Sequence, residues 1–315
     1  MADLLGFAGY IGLFKRFLDY LCADGFFYRI SIKRLIRKDE KLQGEQMLKK
    51  SKIDLSLENN FFAKVRFLPK LCPKMKVVDF STGVSSVNST FASDTFNIIA
   101  AKNLQETIPV DQAKSIIDSF NAQKLPLAWW VGSHSSNYKV NEVLLSIGLE
   151  HVETEVGMAA LAQDIDSHVT SMLNNFKIKV VESVQDFIDY GNVMASAFEP
   201  FDEEAIIFYE TIGRCYKKNP DVDMFVGYIN NNPVAICFCI KADGVGGVYD
   251  IVTNPDFQKR GVGTFMTKIA VEHLKRKKCH VIGMQASNEG IGIYKKLGFI
   301  NFGEFKVYSN KHMVV

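Results

Sequence analysis

The stretch Asp250-Ile-Val-Thr-Asn-Pro-Asp-Phe-Gln-Lys-Arg-Gly-Val-Gly-Thr264, with the amphipathic run behind it, constrains the fold more than any other part of the chain. Residues 246–253 read as a strand: Val248, Tyr249, Ile251, Val252 and Thr253 are β-branched or aromatic, and Pro255 stops the run. From residue 262 to 275, Val262, Phe265, Met266, Ile269, Ala270 and Leu274 recur at helical spacing. Between them, Gln258-Lys259-Arg260-Gly261-Val262-Gly263 is the turn that opens the helix. Glycines let the backbone approach a ligand, and the first-turn N–H groups of a helix have no intrahelical partner. Together with the positive end of the helix dipole and the charges of Lys259 and Arg260, this turn predicts a pyrophosphate site.

Two familiar phosphate loops do not fit. No Lys-Ser/Thr follows the second glycine, as a nucleotide-hydrolase loop requires. A dinucleotide fingerprint needs a third glycine and an acidic residue at the end of the next strand, and both are missing. Residues 279–286 read as a further strand, followed by Asn288-Glu-Gly-Ile-Gly-Ile-Tyr-Lys-Lys-Leu-Gly-Phe299, with Gly298 as a C-terminal cap. Gln-x-x-Gly-x-Gly after a strand ending Val-Thr-x-Pro, followed by this Asn–Tyr–Leu-Gly-Phe segment, resembles the two signatures of GNAT-type N-acetyltransferases. The likeness covers residue 177 to the C-terminus.

The resemblance implies acetyl-CoA as co-substrate and assigns roles to matching positions. Gln258, Arg260, Gly261, Gly263 and Thr264 hold the pyrophosphate, largely through main chain. Lys259 and Val262 belong to the same loop, and Thr253 closes the strand before it. The Val252 N–H meets the thioester carbonyl, Asn288 binds the pantetheine arm, and Tyr294 reprotonates the departing thiolate. Attack is direct, in a ternary complex, without an acyl-enzyme. The base stays open among Tyr249, Asp250, Glu199 and Glu203, with Asp250 preferred. Tyr249, Glu199, Phe201 and Glu203 are expected on the acceptor side, where Phe198-Glu-Pro-Phe-Asp202 lines the pocket. His280 is given no role.

Length and 47% hydrophobic residues allow two domains with real cores, and a net charge of +2 leaves no nucleic-acid footprint. The six cysteines lack metal-ligand spacing; no metal is expected, and they read as reduced thiols of a cytoplasmic protein. Residues 1–54 form an amphipathic helical extension in which Leu4, Phe7, Ile11, Phe14, Leu18 and Leu21 recur between basic residues. Its apolar run before Lys15 is too short to span a bilayer. It packs on the chain's own domains or docks to an anionic membrane or a protein partner.

Residues 55–165 repeat part of the later pattern. Strands are expected at 76–80, 97–101, 126–131 and 156–161, and helices at 110–122 and 138–146. Ile147-Gly148-Leu149 stands where Leu297-Gly298-Phe299 stands later, so this unit resembles the reduced N-terminal half of tandem GNAT proteins. It has no Gly-x-Gly, and Pro109 sits where the helix opens. It is therefore expected to shape the substrate side rather than bind acetyl-CoA. Trp129 and Trp130 read as a half-buried strand pair or a ligand wall. After a polar linker, residues 175–315 form the catalytic unit.

The expectation is thus an α/β (α+β) protein of two tandem GNAT-like domains, each a mixed sheet flanked by helices. It acetylates a primary amine of a small molecule, peptide or protein, and nucleic acid is not a partner. The alternative is a non-catalytic interaction protein that keeps an acetyl-CoA-binding fold and docks through its extension.

Overall fold

The computed structural model describes residues 39–168 and 175–314. The helix expected near the N-terminus and the docking role given to it lie outside the described residues, as does part of the linker. The first half runs α1 (Asp39–Leu71), β1 (Lys76–Asp79), β2 (Val84–Asn88), β3 (Ile98–Ala101), α2 (Val110–Asn121), β4 (Ala128–Gly132), α3 (Ser133–Ser136), α4 (Val140–Ser146) and β5 (Glu150–Leu161). The second half runs β6 (Phe176–Val180), α5 (Val184–Ala195), α6 (Glu203–Cys215), β7 (Val222–Ile229), β8 (Asn232–Ala242) and β9 (Val245–Thr253). It continues with α7 (Val262–Arg276), β10 (Val281–Ala286), α8 (Asn288–Leu297), β11 (Ile300–Ser309) and α9 (Lys311–Val314).

All strands join one 11-stranded mixed sheet, in the order β1-β2-β3-β4-β11-β5-β10-β9-β8-β7-β6. The pairs β3–β4 and β9–β10 are parallel, each bridged by a crossover helix, α2 or α7. Two copies of one unit are therefore present, β3-α2-β4-α4-β5 and β9-α7-β10-α8-β11. Each copy gives its last strand to the other. Strand β5 pairs with β10, β11 pairs with β4, and β5 and β11 pair with each other. The halves share their central hydrogen bonds as well as a surface.

Helix α1 crosses the middle of this sheet and runs through the boundary expected at 54/55. A row of glycines lies beneath it, one on each of five adjacent strands: Gly132, Gly303, Gly283 and Gly247 leave room for Glu58, Asp54, Leu57 and Asn60 of the helix, and Gly157 leaves room for the Phe305 ring. Gly303 pairs with Gly157, and Gly283 with Gly247. A Cβ on Gly283 would stand 2.3 Å from Leu57 Cδ2, and one on Gly247 2.0 Å from Asn60 Oδ1. The furrow lets Leu57, Phe61 and Val65 sink into the core against Phe305 and Tyr249.

On that face α1, α5 and α6 bury one apolar layer. Helices α7 and α8 cover the opposite face of the second half, and α2 and α4 that of the first. The expected strands and helices are present with ends shifted by a few residues. Strand β2 was not expected: Val-Ser-Ser-Val-Asn shows no alternation because both of its faces are covered. Trp129 is buried with α2, whereas Trp130 stacks near Phe61 at 4.9 Å, so the tryptophans serve opposite faces of β4.

Candidate functional site

Strands β9 and β10 pair at Gly246–Ile282 and Gly247–Gly283, and there the pairing ends. Beyond this point β9 keeps its bonds to β8 alone, which leaves the β10-facing edge of Asp250, Ile251, Val252 and Thr253 without a strand partner. A bulge falls at the parting: β9 uses one more residue than β8 between the Tyr249–Phe238 and Val252–Ile236 pairs. Asp250 takes up the extra length in the left-handed region, at φ +51°, which aspartate tolerates better than most residues. Tyr249 and Asp250 therefore both turn toward α1. Val252 follows on that face, and Ile251 packs on the other.

Each of these two side chains meets α1. The Tyr249 hydroxyl donates to Asn60 Oδ1 at 2.7 Å, and Asn60 Nδ2 donates to the carbonyls of Ala242 and Val245. Burial pushes the Tyr249 phenol far up, and the neighbouring Asp250 charge adds to it. Asp250 accepts from Lys64 Nζ at 2.8 Å, from the Tyr190 hydroxyl at 3.1 Å and, at longer range, from that of Tyr209 at 3.5 Å. Both phenols are raised well above their ordinary value, by burial first and then by the Asp250 charge. Asp250 thus sits at the centre of a polar cluster drawn from α1, α5, α6 and β9.

At its far end β9 leads into the loop before α7. Gly261 takes φ +83° and precedes a first turn that receives no side-chain cap among the described residues. Helices α5 and α6 differ, because Ser183 and Asp186 form a capping box on α5 and Asp202 caps α6, while α8, like α7, has no side-chain cap. A Cβ on Gly261 would meet nothing within 4 Å among the described residues, and one on Gly263 would meet only Thr253 Oγ1 at 3.4 Å. Protein packing does not fill this space, so the loop fits a bound diphosphate. Gln258 Nε2 donates to the Thr253 carbonyl, Lys259 is exposed at φ +59°, and Arg260 lies over the Phe257 ring at 5.3 Å. Val262 is buried beneath the turn and Thr264 is half-buried in its first helical turn.

Asn288 is the first residue of α8, directly beyond the end of β10, and Tyr294 lies in the apolar layer under α7. Burial, with the charge of Glu155 behind it, pushes the Tyr294 phenol up to about 12. A cleft lies across the sheet, lined by Lys64, Leu68, Phe96, Phe208, Tyr209 and Asp250 among others. The first half supplies one wall of it, and Phe96 stacks on Phe208 with centroids 4.0 Å apart. Glu199, Phe201 and Glu203 do not line this cleft. They are exposed in the loop before α6 and at its first residue, while the α6 residues one to two turns later do the lining. The described residues hold no cluster of metal-ligating side chains and no helix long and apolar enough to cross a membrane.

Residues 190–299 match the model of the acetyltransferase (GNAT) family. That segment is similar to a GNAT acetyltransferase domain. A curated relative, an uncharacterized N-acetyltransferase of Methanocaldococcus jannaschii, is 26% identical over 153 residues, which are 44% of this chain and 66% of that protein. Among solved structures, a GCN5-related N-acetyltransferase from Kribbella flavida has TM-score 0.56 at 15% identity, covering 80% of this chain and 95% of its own. A tandem GNAT protein from the clavulanic acid biosynthesis pathway has TM-score 0.50 at 9% identity, covering 86% of this chain and 95% of its own. At such identities the structures speak to fold alone, and the fold is that of two GNAT halves in tandem.

Two residues beside the β9 bulge and the end of β10 were not singled out from sequence. Lys64 reads in the sequence as one of many helix lysines, and only the crossing of α1 over the glycine furrow brings it to Asp250. Glu155 sits in Glu-Thr-Glu-Val, an unremarkable edge-like pattern, yet it is placed beside the end of β10 by the strand exchange. One glycine on each of five strands was the available signal for the first. For the second, the sequence carries none.

Proposed function

We propose that this chain is an N-acetyltransferase that moves the acetyl group of acetyl-CoA onto a primary amine of a small molecule or peptide, by direct attack with both substrates bound. The observation that carries this reading is the start of α7: uncapped, open above Gly261 and Gly263, and directly downstream of the point where β9 and β10 part. The first half has no such loop. Its crossover helix α2 opens behind Pro109 without a glycine pair, so one coenzyme per chain is expected, in the second half.

Bound acetyl-CoA supplies the acetyl group, activated as a thioester. The first-turn N–H groups of α7, with Gln258, Lys259, Arg260 and Thr264 around them, hold the diphosphate. Asn288 binds the pantetheine arm where it passes the end of β10. The main-chain N–H of Ile251 donates to the thioester oxygen from the unpaired edge of β9, whereas the Val252 N–H expected there is directed at Ile236 of β8, in step with the Asn254 N–H that bonds the Val234 carbonyl. Tyr294, kept protonated by its raised pKa, donates to the departing sulfur. On the opposite face, Asp250 with Lys64, Tyr190 and Tyr209 forms the polar end of a cleft whose walls are Leu68, Phe96 and Phe208. That lining suits a cationic amine on an apolar body, drawn to the carboxylate end.

Calorimetry with acetyl-CoA tests the loop, and coenzyme A release with phenethylamine, spermidine and a lysine peptide tests transfer. Wild-type protein is expected to bind one acetyl-CoA. Gly263→Val is expected to lose that binding at an unchanged melting temperature, because its side chain enters ligand space rather than the core. Undiminished affinity in this variant sinks the assignment.

A further inference from the structure

The acetyl-transfer reading leaves the proton of the acceptor ammonium without a destination. Resting on that reading, we infer that Glu155, delivered by the first half through strand β5, takes this proton and is the general base of the second half's reaction.

The placement follows from register. Strand β10 ends at Ala286 opposite Val156, and β5 runs on past it, so Glu155 is the first β5 residue beyond β10. Past the Gly247–Gly283 pair β9 parts from β10, so the end of β10 borders a gap with the β9 bulge at Asp250 on one side and Glu155 of β5 on the other. They share a face. Glu155 pairs with Phe305, whose ring lies 5.9 Å from Phe61 of α1, and Lys64 is one turn further along that helix. The base stands on the acceptor side of the sheet and the acid Tyr294 in the layer under α7. Their charges still act on one another past the strand end.

The surroundings tune the group. Glu155 keeps some exposure, yet burial, helped by the like charge of Glu153, pushes its carboxyl up to about 7 against the opposing pull of Lys64. Tyr294 faces it from α8, Phe305 faces it from β11, and β10 ends with the apolar Ala286. Asp250, by contrast, already accepts from an ammonium and two phenols. In the step, the ammonium N–H bond breaks and its electron pair stays on nitrogen for attack. The proton goes to a Glu155 carboxylate oxygen, and the nitrogen pair forms the C–N bond to the thioester carbon. When the C–S bond breaks, its electron pair leaves with the sulfur, which takes the Tyr294 proton, and the second proton shed by the nitrogen restores the Tyr294 phenol.

The test is the pH profile of coenzyme A release with phenethylamine for wild type, Glu155→Gln and Glu153→Gln, with acetyl-CoA affinity by calorimetry alongside. Wild-type kcat/KM is expected to rise through about pH 7. Glu155→Gln should keep its acetyl-CoA affinity, lose on the order of 10²–10⁴ in kcat and show no such rise. Glu153→Gln should stay active with the rise moved to lower pH, because a like charge has gone. A Glu155→Gln enzyme with wild-type rate and profile overturns the base assignment and leaves acetyl transfer standing, as does one that fails because it no longer binds acetyl-CoA. Wild type that binds no acetyl-CoA, or that binds it without acetylating any amine tried, overturns both.

Discussion

Lys64 of α1 and Asp250 of the β9 bulge, 186 residues apart in the chain, meet in a 2.8 Å ion pair. The first belongs to the half without a glycine loop and the second to the half with one. Two devices make the meeting possible: the glycine furrow that lowers α1 onto the sheet, and the left-handed turn that swings Asp250 toward it. The first half therefore completes the site of the second rather than merely leaning on it.

Breaking that pair from one side should be costly. Lys64→Met leaves the Asp250 carboxylate with phenol donors alone, and removing one partner of a buried pair typically costs roughly 3–5 kcal/mol. The side chains here keep 19% and 10% of their exposure, which places the loss at the lower end of that range. Urea denaturation should show the drop as a lower midpoint at constant slope. Lys64→Met combined with Asp250→Asn should be less damaged than Lys64→Met alone, because Asn keeps the left-handed turn and an acceptor for the phenols while no unpaired charge is left behind. A double variant as unstable as the sum of the two singles would mean that the contact carries no coupling. The same Lys64→Met change removes the cation that holds down Glu155, so the rise in activity should move to higher pH.

The furrow makes a second prediction, about size rather than charge. Gly283→Ala puts a methyl where Leu57 Cδ2 already lies, and overpacking of this kind costs roughly 1–3 kcal/mol. Leu57→Ala alone opens a cavity in the core, at roughly 2–5 kcal/mol. Each change makes room for or fills the space of the other, so the pair together should cost clearly less than the sum. Thermal melts of the three variants measure this directly. Additive losses would show that α1 does not rest on Gly283.

Much of this was legible before any coordinates. Periodicity at Val262, Phe265, Met266 and Leu274 and the punctuation at Pro255, Gly261 and Gly298 mark α7, β9 and the cap of α8 because those signals are local. The pairing of β5 with β10 is not local. Nothing in Glu150–Leu161 distinguishes a strand that stays in its own sheet from one that crosses to the other half, since register is written by partners more than a hundred residues away. The lining of the cleft beside Asp250 was not legible for the same reason: it comes from Phe208 and Tyr209 along α6 and from residues of the first half, whereas Glu199 and Phe201 of the preceding loop are exposed.

Tyr294 offers the sharpest check on the chemistry. Its phenol is pushed up to about 12 by burial and by the Glu155 charge. A general acid acts in its protonated form, so an acid of this kind fails only as pH rises through its own pKa, and wild-type kcat should stay level from the top of the Glu155 rise to beyond pH 10. Tyr294→Phe keeps the ring that packs on Phe299 and takes away only the hydroxyl. Acetyl-CoA affinity and melting temperature should hold, while kcat falls on the order of 10²-fold or more. The loss should also shrink for thioesters whose thiol is a better leaving group, since these need a proton least. A Phe variant equally slow with good and poor leaving groups would mean that the hydroxyl positions the substrate, and that the sulfur takes its proton from elsewhere.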